Sequence, residues 1–306
     1  MRLIEIINRY INSPRKTIRA FGMHGLINWL PDRLYLKLVY WCEFNKKLNL
    51  ESPVTYSEKL QWLKLFDRNP EYSTYVDKYA VRSYINKVIG DQYLIPLLGV
   101  YDSVEEIKWG LLPNKFVLKC THGSGSNIIC TDKNKLDVQT SIMKLNKWMK
   151  KSWYWFGREW PYKDVRRRII CEKFISETDS TPNDYKVLCF EGKAKLIEVH
   201  MNRFGNHNQD FYDVNWNKTE ISQRTPISNI ILKKPQILEK MIQLSEVLAQ
   251  NKHHVRIDWY VVENKLYFGE ITFFDASGFC PFDKEEYDLM LGGWINLKNE
   301  TNPLNV

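Results

Sequence analysis

Several common patterns are missing from this chain of 306 residues. The six cysteines, at positions 42, 120, 130, 171, 189 and 280, form no C-x-x-C pair, and several lie inside apolar runs. This distribution favours free thiols over a zinc site or a disulfide framework, and predicts a reducing cytoplasm. The chain also has no run of eighteen apolar residues and no h-region of a signal peptide, so we expect no transmembrane segment.

Low-complexity runs and internal repeats are also lacking, and the chain has only 14 glycines and 12 prolines. With 44% hydrophobic and 26% charged residues, the composition is that of a globular protein rather than a disordered one. The formal net charge of +8 favours an anionic partner, whether a nucleotide, nucleic acid, an acidic glycan or an anionic membrane. The sign of the charge does not choose among them.

The N-terminal quarter is predicted to be helical. Residues 1–30 are amphipathic and basic, which is compatible with peripheral docking on a membrane. The favoured interpretation is an ordinary helical cap packed on the body of the protein. In "SPVTYSEKLQWLKLFDRN" apolar residues recur at helical spacing after Ser57, which we expect to cap the helix. A further helix is predicted to end at Gly90.

From about residue 93 the pattern changes to short strands. "YLIPLLGVY", "KFVLKC", "SNIIC" and "RIICEKFI" are predicted strands, with a helix around 136–151 before the last of them. A hairpin turning near Gly192, a long helix in "KKPQILEKMIQLSEVLAQN" and a second hairpin around Asn264 follow. Because helices and antiparallel strands alternate in blocks, we predict an α+β fold rather than a doubly wound sheet.

The segment "FVLKCTHGSGSNIIC" places Lys119 at the end of a strand, directly before a loop of glycine and serine. It is neither a Walker A motif, in which the lysine follows the glycines, nor a complete G-x-G-x-x-G. Backbone N–H groups of such a loop approach phosphate oxygens closely, and Ser124 and Ser126 add hydroxyl donors. A plain surface hairpin uses the same residue types, so both interpretations stay open at this point.

The second hairpin, "VRIDWYVVENKLYFGEITFF", changes that balance. If its turn is the three residues 263–265, Asp258 lies opposite Glu270 and Arg256 lies opposite Thr272. Facing carboxylates in buried strands are costly unless a cation joins them, and Mg²⁺ prefers one or two carboxylates plus phosphate oxygens. A two-residue turn would instead put the carboxylates on opposite faces. We favour the metal site.

Together these motifs resemble the ATP-grasp superfamily, most closely its TupA-like branch. The resemblance extends from "YSEKLQWLKLFDRNP" to "GEITFFDASGF", about three quarters of the chain, and includes "DKYAVRSYI" and "DYKVLCFEGKAKLIEV". It implies an ATP-grasp fold, in which two α+β halves clamp ATP, with an N-terminal helical extension. The expected domains are residues 1–75 for the extension, 76–181 for the first half and 182–306 for the second.

The resemblance also implies the residues that contact ATP, namely Lys119, His122, Gly123, Ser124, Gly125, Ser126, Glu172, Lys173, Phe174, Ile175 and Asp184. Lys119 would contact the α- and β-phosphates, and the loop after it would close over them. In the hinge, Glu172 would accept from the adenine amino group and Phe174 would supply an apolar wall.

For the chemistry, the resemblance implies that Lys186 reaches the γ-phosphate and that Arg203 holds the transferred phosphoryl group. Asp258 and Glu270 would carry Mg²⁺. Thr272 stands where the family prefers asparagine, so its place in the metal site departs from the family pattern. Asp275 has the right type of side chain to replace Thr272 as a metal ligand, but nothing in the sequence fixes its position.

The expected activity is that of an ATP- and Mg²⁺-dependent carboxylate–amine ligase of bacterial surface polysaccharide biosynthesis (capsule, O-antigen or teichuronopeptide). Its partners would be an acidic sugar or glycan and an amino acid or amine. Two alternatives are a glycosyltransferase, although a D-x-D motif is absent, and a sugar kinase on the same scaffold. A nucleic-acid binder using the aromatic and basic residues 150–168 ranks lowest, because it leaves the facing carboxylates unexplained.

Overall fold

The computed structural model describes residues 18, 21–22, 25–176, 181–201 and 207–297. The described chain has two antiparallel sheets and eight α-helices, so the predicted α+β class is confirmed. Among the described helices, none is long and apolar enough to cross a membrane.

The first sheet has four strands in the order β1-β4-β2-β3. Their bounds are Leu97–Tyr101 for β1, Phe116–Cys120 for β2, Asn127–Cys130 for β3 and Ile169–Lys173 for β4. All neighbouring strands are antiparallel, and β2 and β3 are the two arms on either side of the glycine–serine loop. Phe116, Leu118 and Cys171 of this sheet form a core of their own with Leu145.

The second sheet has five strands in the order β7-β6-β5-β8-β9. Their bounds are Asp184–Phe190 for β5, Lys193–Met201 for β6, Asn208–Asp213 for β7, His254–Val262 for β8 and Lys265–Thr272 for β9. The β5–β6 hairpin turns at Glu191 and Gly192, which both have positive φ, as predicted.

The helices have the bounds Asp32–Phe44 for α1, Tyr56–Phe66 for α2, Tyr72–Val76 for α3, Val81–Ile89 for α4, Val138–Met149 for α5, Tyr154–Gly157 for α6, Leu238–Ala249 for α7 and Glu285–Gly293 for α8. The residue that caps α2 is Thr55, not Ser57 as expected. Thr55 and Glu58 form a reciprocal capping box, whereas the N–H and hydroxyl of Ser57 both donate to Asp288, each at 2.9 Å. Gly90 follows α4 with φ of 104°, as predicted for the end of that helix.

One face of the five-stranded sheet is apolar and the other is charged. Val187, Ile257 and Trp259 are fully buried on the face that packs against α7, where the Trp259 indole donates to Ser245 at 2.8 Å. On the other face Lys186 lies directly opposite Asp258. Since side chains alternate along a strand, the same strands supply both a core and a charged surface.

The turn of the β8–β9 hairpin differs from the prediction. It has two residues, Glu263 and Asn264, both with positive φ, because such a turn matches the twist of the flanking strands. A β-bulge then sets Gly269 and Glu270 together against Asp258, so the register shifts by one residue. The expected pairing of Arg256 with Thr272 is therefore found despite the wrong turn length.

The two sheets lie on either side of the predicted boundary at 181/182, and the helices that precede the first sheet pack into the core of the second. The division into residues 1–75, 76–181 and 182–306 stays a prediction.

Candidate active site

A first charged group lies at the end of the four-stranded sheet. Lys119 on β2 is 2.6 Å from Glu172 on β4, its near neighbour in the sheet, and Arg82 from α4 reaches the other oxygen of Glu172 at 3.1 Å. Arg82 also donates to the carbonyl of Ile95 at 2.8 Å. We call Arg82, Lys119 and Glu172 the strand-end cluster. Its two cations share one carboxylate.

A narrow pocket of about 80 Å³ opens beside the strand-end cluster. Its walls are mostly apolar side chains: Ile95, Val117, Ile129, Phe174, Ile175 and Pro182, with Tyr260 from β8. The predicted hinge residues Glu172 to Ile175, together with Lys119 and Asp184, line the same pocket. Such a slot, with backbone groups and charges at its rim, suits a planar aromatic ring.

A second charged group lies on the charged face of the five-stranded sheet. Arg256 grips both oxygens of Asp258 from Nε and Nη2, each at 2.7 Å, and Lys186 lies 2.5 Å from the same carboxylate. Lys186 is also 3.1 Å from Asp184. Burial and Arg256 lower the pKa of Lys186, but the carboxylates of Asp184, Asp258 and Glu198 outweigh both and raise it above its ordinary value. This lysine is therefore a fixed positive charge.

Glu270 on β9 completes this group with a bridge to the glycine loop. Lys78, just before α4, lies 2.8 Å from Glu270 and donates to the carbonyl of Gly123 at 2.8 Å. Burial alone would raise the pKa of this carboxyl, but the charges of Lys78, Lys186 and Arg256 outweigh burial and hold the pKa well below its ordinary value. Arg256 further contacts Thr272 at 3.3 Å and pairs with Asp275.

We call this second group the hairpin cluster: Lys78, Asp184, Lys186, Arg256, Asp258, Glu270 and Asp275. By formal charge its four carboxylates exceed its three cations, the reverse of the strand-end cluster.

The resemblance to ATP-grasp proteins implies Mg²⁺, and the donors here are of the right chemical kind. Asp258, Glu270 and Thr272 offer the hard oxygen atoms that Mg²⁺ prefers. Within the described ranges no group of three or more His, Cys, Asp or Glu side chains is placed to hold a metal by itself. In its usual mode of binding, Mg²⁺ is held by one or two carboxylates together with phosphate oxygens and water.

A cavity of about 390 Å³ lies over the charged face of the five-stranded sheet. Lys186, Arg256, Glu270 and Thr272 line it, and so does Ser124 of the glycine loop. Part of the remaining wall is aromatic, with Tyr35, Trp153, Phe156, Tyr162, Phe274 and Phe279, and another part is polar. The residues 150–168 thus contribute to an internal cavity wall, rather than only to an outer basic surface.

The structure brings most of the predicted site residues to these two pockets, but not all. His122 is buried and its Nε2 lies 3.2 Å from the carbonyl of Trp148 at the end of α5. A side chain at Gly123 would meet Trp153 at 3.1 Å, so glycine lets the loop pass beneath that ring. Gly125 has φ of 74°, which also favours glycine. Arg203 lies outside the described residues.

Sequence reasoning missed Lys78, in the turn before α4, and Arg82 on α4, whose partners Glu270 and Glu172 are far away along the chain. It placed Arg256 on the charged face without giving it a role. The alternation that joined Arg256 to Asp258 was the available signal for Arg256, whereas nothing local indicated the other two.

A family model described as TupA-like ATPgrasp matches residues 58–296. Because that match covers most of the chain, this protein belongs to the TupA-like ATPgrasp family. The resemblance drawn from the motifs is confirmed, and with it the ATP-grasp fold. A comparison with curated proteins returned no match.

Solved structures show more distant similarities. The D-alanine–D-alanine ligase of Helicobacter pylori is 16% identical with a TM-score of 0.42, over 72% of this chain and 61% of that one. The L-amino acid ligase of Bacillus licheniformis is 11% identical with a TM-score of 0.42, over 72% and 49%. The ATP complex of D-alanine–D-alanine ligase from Bacillus anthracis is 13% identical with a TM-score of 0.39, over 65% and 55%. The chain thus covers less than two thirds of the length of each.

Proposed function

We propose that this protein is an ATP- and Mg²⁺-dependent ligase of bacterial surface polysaccharide biosynthesis. It would activate a carboxylate as an acyl phosphate, which an amine then attacks. The observation that carries the proposal is the opposite charge balance of the two clusters around adjoining pockets. An excess of cations suits phosphate oxygens, and an excess of carboxylates suits a divalent cation, so a magnesium nucleotide complements both.

Each residue then has a role that its position supports. The apolar pocket between Phe174 and Tyr260 would take the adenine, and Lys119 at its rim would contact the first two phosphates. Lys186 would stabilise the negative charge of the transferred phosphoryl group, for which a buried, permanently charged lysine is well suited. Asp258 and Glu270 would hold Mg²⁺, which would neutralise charge on the terminal phosphates when bound. Arg203 remains the proposed second cation at the phosphoryl group.

The cavity supports a carbohydrate substrate. Aromatic rings such as Trp153 and Phe274 line one part, and the amide side chains of Gln209 and Gln223 line another. Rings stack on the apolar faces of sugars, and amides bond to hydroxyl groups. An acidic sugar or glycan is the proposed carboxylate substrate, in keeping with the net charge of +8.

Peripheral contact with an anionic membrane is part of the same proposal. Trp29 and Leu26 are 78% and 61% exposed, and Leu34 on α1 is 54% exposed beside the exposed residues Arg33 and Lys37. Exposed tryptophan and leucine with neighbouring basic residues are typical of surfaces that bind at the membrane interface.

Calorimetric titration with Mg-ATP tests the nucleotide site. We expect binding to the wild type, and binding about 10- to 100-fold weaker in Lys119→Ala and in Asp258→Asn/Glu270→Gln, because each removes charge-assisted contacts. Lys195→Ala, on the exposed side of β6, is the matched control and should bind like the wild type. Circular dichroism checks that each variant is folded.

An absence of Mg-ATP binding to the wild type would overturn the proposal. A glycosyltransferase would then be the favoured alternative, and titration with nucleotide sugars would test it. If binding is found, ADP release with uronic acids and hydroxylamine distinguishes the two ATP-dependent reactions. A hydroxamate product shows acyl-phosphate formation, whereas a phosphorylated sugar shows a kinase.

A further inference from the structure

A polar group on β6 and β7 lines the cavity outside the residues assigned to ATP and Mg²⁺. Glu198 is only 3% exposed, and its Oε1 accepts from Gln209 Nε2 at 2.8 Å and from His200 Nε2. Its Oε2 is buried and has no hydrogen-bond partner in the described parts of the chain. We call Glu198, His200 and Gln209 the β6 cluster, and all three line the cavity.

The β6 cluster lies beside the phosphoryl end of the site. Glu198 is directly opposite Lys186, which in turn is opposite Asp258. Because neighbouring strands are about 4.8 Å apart, a group bound at the β6 cluster lies beside the strand that carries the lysine assigned to the phosphoryl group. An attacking atom must come within about 3–3.5 Å of the carbon it attacks, so this is the right neighbourhood for the second substrate.

Glu198 is a buried carboxylate that keeps its charge. Burial raises its pKa, but His200, Arg256 and Lys186 outweigh burial and hold the pKa at about 2. A charged carboxylate in a buried site is costly unless positive charge lies close to it, so Glu198 favours a protonated His200 beside it. No ion pair joins Lys186 to Glu198 among the described contacts, because Lys186 is directed to Asp184 and Asp258.

His200 is oriented by the same carboxylate. An ionised carboxylate accepts, so His200 Nε2 must donate its proton to Glu198, and Nδ1 of the neutral ring then has the lone pair. Nδ1 lies 2.6 Å from Nε2 of His207, which donates to it in this arrangement. A histidine that is fixed in one tautomer by a carboxylate is the usual arrangement of a proton acceptor.

We infer that the β6 cluster is the subsite of the attacking amine, in which Nδ1 of His200 takes the proton that the nitrogen must lose and Glu198, on the other side of the ring, stabilises the imidazolium that forms. The inference rests on the proposed ligase function and names the second substrate as a primary amine. To reach Nδ1 of His200, the amine takes the place of His207. The aromatic wall that includes Trp153 and Phe156 adds favourable cation–π contact.

The step balances as follows. The ammonium group gives one proton to His200, whose imidazolium is neutralised by Glu198. The nitrogen lone pair attacks the acyl carbon, the C–N bond forms, and the bond between the acyl carbon and the phosphate oxygen breaks. The departing phosphate takes the second proton from nitrogen, so the products are an amide, hydrogen phosphate and one proton on His200.

Nitrogen-15 NMR of histidine-labelled full-length protein tests this without knowledge of the substrate. His200 is assigned with His200→Asn. At pH 8 we expect Nε2 of His200 protonated and Nδ1 unprotonated. Ethylammonium chloride should shift the His200 signals with millimolar affinity, and tetramethylammonium chloride, which has no N–H donor, should not. Glu198→Gln should abolish the shift, and Glu246→Gln, an acid paired with Lys193 on the far side of the sheet, should retain it.

A protonated Nδ1, an absent ethylammonium shift, or equal shifts with both cations would each overturn the inference. The contrast between the two cations is measured on the wild type, so it does not depend on Glu198→Gln folding. Neither cation requires ATP, so the titration with Mg-ATP reports separately on the proposed function.

Discussion

The two sheets of this protein each carry a charged cluster, and the clusters are built in opposite ways. In the strand-end cluster Arg82 and Lys119 share the single carboxylate of Glu172. In the hairpin cluster Arg256 alone contacts three carboxylates, those of Asp258, Glu270 and Asp275. By formal charge, the strand-end cluster is therefore net positive and the hairpin cluster is net negative. This difference is what the proposed site for a magnesium nucleotide requires of its two halves.

The largest expected effect follows from replacing the central cation of each cluster. Arg256→Met removes the cation that pairs with Asp275 and leaves Asp258 and Glu270 with one lysine each, and we expect it to reduce the free energy of unfolding by about 3–5 kcal/mol. Arg82→Met leaves Glu172 paired with Lys119, so its cost should be about 1–2 kcal/mol. Urea unfolding of both variants measures the difference. Equal losses of stability would show that the two clusters depend on their arginines to the same degree, and would contradict the difference between them described above.

Acid should act on the five-stranded sheet through Glu198. The pKa of this carboxyl is lowered from 4.5 to about 2, so its contribution to stability is fully present above about pH 4.5 and is lost as pH falls toward 2. A shift of this size corresponds to about 3 kcal/mol at neutral pH. Urea unfolding between pH 7 and pH 3 should show stability falling less steeply in Glu198→Gln than in the wild type. Parallel curves would contradict the prediction.

The smallest effects concern one glycine in each half. A side chain at Gly269 would meet the carbonyl oxygen of Asp258 at 3.1 Å, so Gly269→Ala should disturb the bulge, at a cost of about 1–3 kcal/mol. Gly125 faces open space but has positive φ, and Gly125→Ala should cost about 1–2 kcal/mol. Calorimetric titration with Mg-ATP should then show which of the two substitutions also weakens nucleotide binding. Gly269→Ala should weaken binding through Asp258, and an unchanged affinity would separate the bulge from the site.

Sequence patterns predicted the strands and their charged face better than the turns. Both hairpins of the five-stranded sheet have two-residue turns and a one-residue register shift, at Leu188/Cys189 in one and at Ile257/Trp259 in the other. Turn length alone would therefore put Lys186 opposite the wrong residue of β6. A bulge depends on how the whole sheet twists, and a single glycine such as Gly269 is not enough to predict it from the sequence.

The contacts between distant segments were beyond sequence reasoning for a different reason. Lys78 and Arg82 sit in a stretch that reads as an ordinary basic helix, and their partners Glu270 and Glu172 are 192 and 90 residues away. Charge pairing of that kind is decided by packing. The capping box of Thr55 and Glu58 is the opposite case. The spacing of these two residues in the sequence already predicts Thr55, rather than Ser57, as the cap.

Lys78 holds the carbonyl of Gly123 and the carboxylate of Glu270 at the same distance, 2.8 Å. The position of the glycine loop and the charge at the hairpin are consequently linked in the thermodynamic sense. A cation that neutralises Glu270 weakens the hold of Lys78 on that side, which changes the free energy of moving the loop. By reciprocity, closing the loop must change the affinity of Glu270 for that cation by the same factor. Through this one lysine, movement of the glycine loop and cation binding at Glu270 belong to a single coupled equilibrium.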